Sequence, residues 1–259
     1  MEVKDAFVQL MLVIVRWIKL KLKSFVHYIR KLFIIENRLI SNRVVCNNHV
    51  QIINSKIPTT DEHAYIHRLE LYRSSVYWNY RRTFTESLME PSIVLDNFLF
   101  LGTIHQASNL KLLNLLDIRH ILNVSDWKLN QFVLNKYNCT QIRILDSLDQ
   151  DIRQHFDQTN QLLHSYFHKN EKVLVNCAAG ISRSATIVLA YLMKYHHNTL
   201  EQAYRFLVDK RPIIGPNNYF MLQLIRYEKE LIHTKEINFK NNNYEINPLK
   251  TVEKIKKLD

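Results

Sequence analysis

The 259-residue sequence predicts an α/β fold, in which short buried strands alternate with helices. The clearest unit covers residues 172–195, where an apolar, β-rich run at 173–175 leads through a tight loop into an apolar segment of helical length at 187–193. Shorter units of the same kind precede it, and a hydrophobic content of 47% is sufficient for a packed core. We therefore expect one substantial domain of about 150 residues, with extensions.

The remaining elements are predicted from apolar runs and from capping residues. Before the central unit these are, in chain order, a strand with a hairpin at 93–101 that Gly102 ends, a helix capped by Ser108, and strands at 121–124 and 140–145. Asp151 is expected to cap the helix that follows the last of these strands. After the central unit, Asn217 is expected to cap a final helix that ends near Ile232.

The segments outside this domain differ from it in composition. Residues 1–40 are basic, amphipathic and apolar. Residues 41–90 read as a linker followed by a helix with an aromatic side, which we interpret as packing on the domain, with docking of a partner as the alternative. Residues 234–259 form a polar tail that is expected to be disordered. These limits leave 91–233 as the predicted catalytic domain.

The N-terminal segment at 6–35 predicts contact with a membrane surface. Its apolar part of thirteen residues corresponds to about 20 Å of helix, too short to cross a bilayer core of about 30 Å. Its basic residues recur along one helix face, which suits anionic headgroups. A second interpretation is a mitochondrial presequence, but such peptides are poor in acidic residues, and this segment is preceded by Glu2 and Asp5. A third interpretation is an amphipathic helix packed on the domain.

Charge and cysteine content limit the classes of function. The formal net charge is +11, of which residues 1–35 carry +5, so the basicity lies largely outside the catalytic region and no nucleic-acid partner is expected. The three cysteines are far apart, which predicts a reducing, cytoplasmic compartment and no zinc site. His164 and His168 have a chelating spacing, but no third ligand is evident, and we interpret them as surface histidines. No metal or cofactor is therefore expected.

The loop after residue 175 combines four residue types that suit the binding of a tetrahedral anion. Cys177 precedes a helix N-terminus and lies near Arg183, and both features favour the nucleophilic thiolate. The planar guanidinium of Arg183 can bind two oxygens of a phosphate. Gly180 gives the turn its backbone freedom, and Ser184 can donate a hydrogen bond to a departing thiolate. The alternative reading is a buried structural cysteine in a strand–turn–helix crossover.

The segments NCAAGISRSAT and AYLMKY resemble the signature loop and following helix of the small atypical dual-specificity phosphatases, which are cysteine-dependent. Blocks at 92–125 and 201–231 are similar to the family's first and last elements, so the resemblance covers about 90–233. It implies a central mixed sheet flanked by helices, here with a helical N-terminal extension. It also implies a Cys177 nucleophile, a general acid at Asp146 with Asp149 as the fallback, and a phosphate-binding loop made of Ala178, Ala179, Gly180, Ile181, Ser182 and Arg183.

One position departs from the family pattern. The family has a histidine directly before the nucleophile, where it supports the loop and the thiolate, and this chain has Asn176. We expect Asn176 to donate a hydrogen bond to carbonyl groups of the loop and the enzyme to be weakened but active. The resemblance also implies that Asn217 supports the loop.

The resemblance implies hydrolysis of phosphotyrosine and phosphoserine or phosphothreonine through a phosphocysteine, with a phosphoprotein, for example a kinase, as the substrate. The loop has no lysine or histidine for additional phosphates, which favours phosphoproteins over inositol lipids. Two alternatives remain open, namely a module that binds phosphoproteins without turnover, suggested by Asn176, and a phosphoinositide phosphatase recruited by the N-terminal segment.

Overall fold

The computed structural model of the protein describes residues 57–79 and 89–241, with the side chains of 57–76 and 89–234. The elements below belong to the unit formed by residues 58–259. The segment predicted to contact a membrane, 6–35, lies outside the described residues, as does most of the predicted linker. Within the described ranges, no helix combines the length and the apolar character that a membrane span needs.

A mixed sheet of five strands occupies the centre of the described fold, in the order β1-β2-β5-β3-β4. The first hairpin, β1 with β2, is antiparallel, and the other neighbouring strands are parallel. The strands are β1 (Ser92–Leu95), β2 (Leu99–Thr103), β3 (His120–Asn123), β4 (Asn138–Gln141) and β5 (Val173–Cys177). The predicted α/β class with a central mixed sheet flanked by helices is confirmed.

Helices cover the sheet and form the N- and C-terminal parts of the described chain. They are α1 (Thr60–Asn79), α2 (Ile104–Ala107), α3 (Leu110–Leu115), α4 (Gln131–Lys136), α5 (Phe156–His168), α6 (Arg183–Tyr195), α7 (Leu200–Lys210) and α8 (Asn218–Asn241), with a 3₁₀ turn at Arg153–His155.

The central strand β5 is apolar because both of its faces are covered. Val173 and Val175 belong to the larger apolar cluster, together with α6, whereas Leu174 lies in a second cluster with residues of α2, α3 and α4. In α6, every residue from 183 to 193 is buried. The catalytic loop predicted from the sequence therefore joins the most buried strand to the most buried helix.

The helix predicted between residues 61 and 90 is observed as α1. Leu69 on its predicted apolar side is 1% exposed and Val76 is also buried, while Tyr65 and Tyr72 pack against the same core. The hydroxyl of Tyr72 donates to Oδ1 of Asp209 on α7 (2.9 Å). The interpretation of this segment as a helix that packs on the domain agrees with these contacts.

Four predicted boundaries are wrong. Gly102 does not end β2, which continues to Thr103, and Ser108 does not cap α3, because the side chain of Asn109 accepts the N–H of Leu112 (3.2 Å) instead. The fourth strand is Asn138–Gln141 rather than 140–145, because its partner β3 offers only four residues. The last helix continues to Asn241 instead of ending near residue 232, and no glycine or proline interrupts the sequence between these points.

Candidate active site

Cys177 is the last residue of β5, and its side chain is 2% exposed. Its Sγ accepts two hydrogen bonds of 3.2 Å, one from the backbone N–H of Gly180 and one from the hydroxyl of Ser184. Ser184 lies in the first turn of α6, so the sulfur faces the N-terminus of a helix. Two donors and a helix N-terminus stabilise a negative charge on sulfur, which is the form that acts as a nucleophile.

The loop after Cys177 directs its peptide N–H groups inward. The carbonyls of Ala178, Gly180 and Ile181 accept hydrogen bonds from groups that surround the loop, namely Ile104 N (3.3 Å), Arg211 Nε (2.8 Å) and Gly215 N (2.8 Å). The peptide bonds are trans, so the N–H of each following residue points the opposite way. These N–H groups, from residues 179, 181 and 182, therefore point to the interior of the loop, an arrangement that is suited to an anion.

Gly180 is required where the loop passes closest to the sheet. Its φ is +66°, and a Cβ atom on it would lie 2.5 Å from the carbonyl oxygen of Gly102 in β2. A side chain is therefore excluded both by the left-handed backbone and by this contact.

Arg183 is held from one side of its guanidinium group. Nη1 donates to Oδ1 of Asp126 (2.9 Å) and to the carbonyl of Ile144 (3.1 Å). The residue is 8% exposed, and Nε is buried with no hydrogen-bond partner among the described residues. A buried guanidinium N–H without a partner is costly unless a ligand accepts it, so this group is suited to an oxygen of a bound anion.

Asp146 lies beside the loop and is connected to it. Its Oδ1 accepts hydrogen bonds from Ser182 Oγ (2.8 Å) and Asn217 Nδ2 (2.9 Å), while Oδ2 makes none within the described residues. Asn217 also caps α8 through Phe220 N (2.9 Å). The structure thus brings Asp146, Ser182 and Asn217 together, as the sequence predicts.

The neighbouring acidic residues have other surroundings. Asp149 is exposed on the same segment. Asp151 was expected to cap a helix, but among the described residues its side chain makes a single, 3.4 Å contact, with Gln154 N in the 3₁₀ turn that precedes α5. The side chain of Gln223 on α8 accepts the N–H groups of Ile152 and Arg153, both at 2.9 Å, so a distant glutamine takes most of the capping role.

Asn176 is fully buried and does not bond to loop carbonyls, contrary to our expectation. Its Nδ2 donates to Oδ1 of Asn123 (3.2 Å), because β3 and β5 pair these two residues in register. Asn123 in turn donates to the carbonyl of Trp127 (2.6 Å) and accepts from Ser125 (2.8 Å). Asn176 therefore connects the nucleophile's strand to the segment that carries Asp126.

Two residues near the site were not identified from the sequence. Asp126 follows β3 at the same edge of the sheet as the loop, which is the signal that could have indicated it. Arg211 is fully buried, and its Nη1 also reaches Ser92 Oγ (3.2 Å). Burial lowers the pKa of Arg211 to about 10, against the attraction of Cys177, so the guanidinium stays positive at neutral pH.

His164 and His168 contact each other, with 3.0 Å between their Nε2 atoms. Within the described part of the chain, no cluster of three or more histidine, cysteine, aspartate or glutamate side chains has a geometry that could hold a metal ion.

Comparison with known proteins identifies the family. The family model for the catalytic domain of dual specificity phosphatases matches residues 99–230. The chain is 34% identical over 176 residues to dual specificity protein phosphatase 14 of Mus musculus, covering 64% of this chain and 88% of that protein. It is 40% identical over 165 residues to MAP kinase phosphatase with leucine-rich repeats protein 3 of Dictyostelium discoideum, covering 61% of this chain but only 19% of the longer relative.

Solved structures agree with this assignment. A mouse dual specificity phosphatase complexed with zinc tungstate matches with a TM-score of 0.52 and 27% identity, over 56% of this chain and 90% of that one. The human tyrosine phosphatase-like serine/threonine/tyrosine-interacting protein matches with a TM-score of 0.52 and 29% identity, over 55% and 98% of the two chains. The region that the family model matches, 99–230, contains β2 to β5, the loop after Cys177 and about half of α8. The chain therefore belongs to the dual specificity phosphatase family, within the superfamily of cysteine-dependent protein tyrosine phosphatases.

Proposed function

We propose that this protein hydrolyses phosphotyrosine and phosphoserine or phosphothreonine in proteins through a phosphocysteine intermediate. The observation that carries the proposal is the position of Cys177 Sγ, which accepts hydrogen bonds from Gly180 and Ser184 in a loop whose N–H groups face inward. The tungstate in the mouse relative supports the proposal, since tungstate is a tetrahedral oxyanion like phosphate.

In the first step, the inward N–H groups and Arg183 bind the phosphoryl oxygens, and the Cys177 thiolate attacks phosphorus. The S–P bond forms as the bond from phosphorus to the substrate oxygen breaks, and Asp146 donates its proton to that oxygen. In the second step, water attacks phosphorus, Asp146 takes a proton from the water, and the S–P bond breaks. The hydroxyl of Ser184 then stabilises the released thiolate.

The loop supports a substrate with a single phosphoryl group. Ala178, Ala179 and Ile181 provide no side-chain cation for additional phosphates, which favours a phosphoprotein over a polyphosphorylated inositol lipid. The name of the Dictyostelium relative makes a phosphorylated kinase the first substrate to test.

A binding module without turnover is the second candidate, and Asn176 is the observation in its favour. Oδ1 of Asn176 is buried without a hydrogen-bond partner among the described residues, directly beside the nucleophile, where the family has a histidine. The human relative with the phosphatase-like, interacting description provides a precedent for such a protein.

The two candidates are distinguished by phosphate release from a peptide phosphorylated on both Thr and Tyr, with the full chain and its Cys177→Ser variant. We expect turnover by the wild type, none by the variant, and retained peptide binding by both. Tight binding without turnover by the wild type would establish the binding module instead. Faster turnover of a phosphoinositide than of the peptide would change the proposed substrate class.

A further inference from the structure

Arg73 lies outside the region that the family model matches, and it contacts the backbone that supports the catalytic loop. Arg73 lies on α1, well before residue 99, where the family match begins. Its Nη1 donates to the carbonyl of Ile214 (3.2 Å), which is fully buried. A Cβ atom on the next residue, Gly215, would lie only 2.5 Å from the same Nη1. The guanidinium therefore packs directly on the backbone of residues 214 and 215.

This segment is connected to the catalytic loop by two hydrogen bonds and to Asp146 by a third. Gly215 N donates to the carbonyl of Ile181 (2.8 Å), and Asn217 N donates to Ser182 Oγ (3.2 Å). The side chain of Asn217 holds Asp146 (2.9 Å). We name residues 214–217 the support segment. The support segment is the only part of the chain between Arg73 and the loop carbonyl of Ile181. A shift of Arg73 would therefore change the direction of the loop N–H groups.

The position of Arg73 is itself fixed, because α1 packs on the domain through Leu69 before it and Val76 after it, both of which are buried in the larger apolar cluster. Tyr72 also bonds to Asp209 on α7. Near the start of α1, Glu62 is 5% exposed and accepts hydrogen bonds from Arg226 and Lys229 on α8 (3.5 and 3.3 Å). The backbone of α1 therefore holds Arg73 close to residues 214 and 215.

We propose that Arg73 is a positioning residue for the catalytic loop, and that α1 is for this reason part of the functional phosphatase. This inference rests on the proposed function, because that function assigns phosphoryl binding to the loop that Arg73 supports. Arg73 does not touch the substrate in this proposal. It holds residues 214 and 215, which hold Ile181 and Ser182 in the geometry that binds an oxyanion.

The test uses the full chain with three substitutions and one control. Arg73→Ala is expected to lower kcat/KM for a small aryl phosphate about tenfold, and to weaken inhibition by tungstate by a similar factor. Arg68→Ala is the matched control, because it removes a cation from the same helix that faces Glu201 and not the support segment. It is expected to change both quantities less than about twofold.

A double-mutant cycle tests the contact itself. In Gly215→Ala, the new Cβ displaces the Arg73 side chain from the Ile214 carbonyl, and the backbone tolerates the change because the φ of Gly215 lies outside the left-handed region. Gly215→Ala should therefore resemble Arg73→Ala, and the double variant should be no worse than either single variant. Additive losses, or an Arg73→Ala variant indistinguishable from Arg68→Ala, would overturn the proposal.

Two further measurements separate this inference from the proposed function. Calorimetric binding of tungstate and the rate of Cys177 alkylation by iodoacetamide report on the loop even if the wild type shows no turnover. Loss of both in Arg73→Ala, but not in Arg68→Ala, would support the positioning role in a protein that only binds. Should Arg73→Ala unfold, Arg73→Lys replaces it. Lysine retains a donor, so this variant should keep part of the tungstate affinity of the wild type. Full wild-type affinity in Arg73→Lys would count against the need for the guanidinium.

Discussion

Asp126 and Arg183 form an ion pair at the catalytic loop, with 2.9 Å between Oδ1 and Nη1. The arginine side chain is 9% exposed and the aspartate side chain 36%, so the pair is partly shielded from water. The contact uses Nη1, whereas Nε remains buried and unpaired among the described residues. Asp126 thus fixes the orientation of the guanidinium without occupying the N–H group that is suited to a phosphoryl oxygen.

Removal of the Asp126 carboxylate should loosen Arg183. We expect Asp126→Ala to lower kcat/KM for a small aryl phosphate by about tenfold, equivalent to about 1.4 kcal/mol. Asp126→Asn retains an acceptor for Nη1 and should lose less than about threefold. Steady-state kinetics on the two variants decide between this role and a competition in which Asp126 and the phosphate both bind Arg183. Competition predicts instead that Asp126→Ala binds phosphate more tightly than the wild type.

Asn176→His should increase the fraction of thiolate at Cys177. A histidine on the residue before Cys177 adds a group that can carry a positive charge, where Asn176 contributes only an amide bonded to Asn123. We expect alkylation by iodoacetamide at about pH 6 to be several times faster in this variant, with a matching gain in turnover. Asn176→Ala serves as the control and should bring no gain. An unchanged pH profile would show that the amide is an adequate substitute.

Asp146→Ala should have an effect that depends on the leaving group. Hydrolysis of a phosphothreonine peptide should fall about a hundredfold, because its alkoxide leaving group needs a proton. An aryl phosphate with an acidic phenol should lose less than about tenfold, since this leaving group departs without protonation. Asp149→Ala is the control on the same segment. Equal losses for both substrates in Asp146→Ala, with a selective loss in Asp149→Ala, would assign the general acid to Asp149.

His164 should titrate below the usual range of histidine. Burial lowers its pKa, and the charges of His168 and Lys194 act in the same direction. A lowered pKa means that the unfolded chain binds the proton more readily, so this group's contribution to stability is complete above about pH 6.5 and is lost as the pH falls through the lowered pKa. We expect His168→Gln to raise the pKa of His164 in an NMR titration. No change would mean that burial and the charge of Lys194 cause the shift without His168.

Local spacing predicted the catalytic loop, whereas its supports depend on tertiary structure. Cys177, Gly180, Arg183 and Ser184 lie within eight consecutive residues, so a strand–loop–helix pattern is enough to bring them together. Asn123 meets Asn176 only through the register of β3 and β5, which no local pattern encodes.

The same limit explains the residues that were missed. Arg211 reaches the Gly180 carbonyl across 31 residues of sequence, so no local pattern indicates this contact. Arg73 lies in a helix whose packing was expected, but its contact with Ile214 spans 141 residues. The ends of α3 and β4 were misplaced for a related reason, since Asn109 and the length of β3 outweighed the local propensities.

The close contact between Gly180 and Gly102 has a consequence for the composition of the whole chain. Glycine occurs only three times in 259 residues, far below the usual share of about 7%. All three glycines, Gly102, Gly180 and Gly215, have a neighbouring atom within 2.6 Å of the place where a Cβ would be. Each glycine therefore lies where a neighbouring atom leaves no room for a side chain: Gln106 beside Gly102, the Gly102 carbonyl beside Gly180, and Arg73 beside Gly215. In a chain this poor in glycine, the glycine positions alone mark the surroundings of the active site.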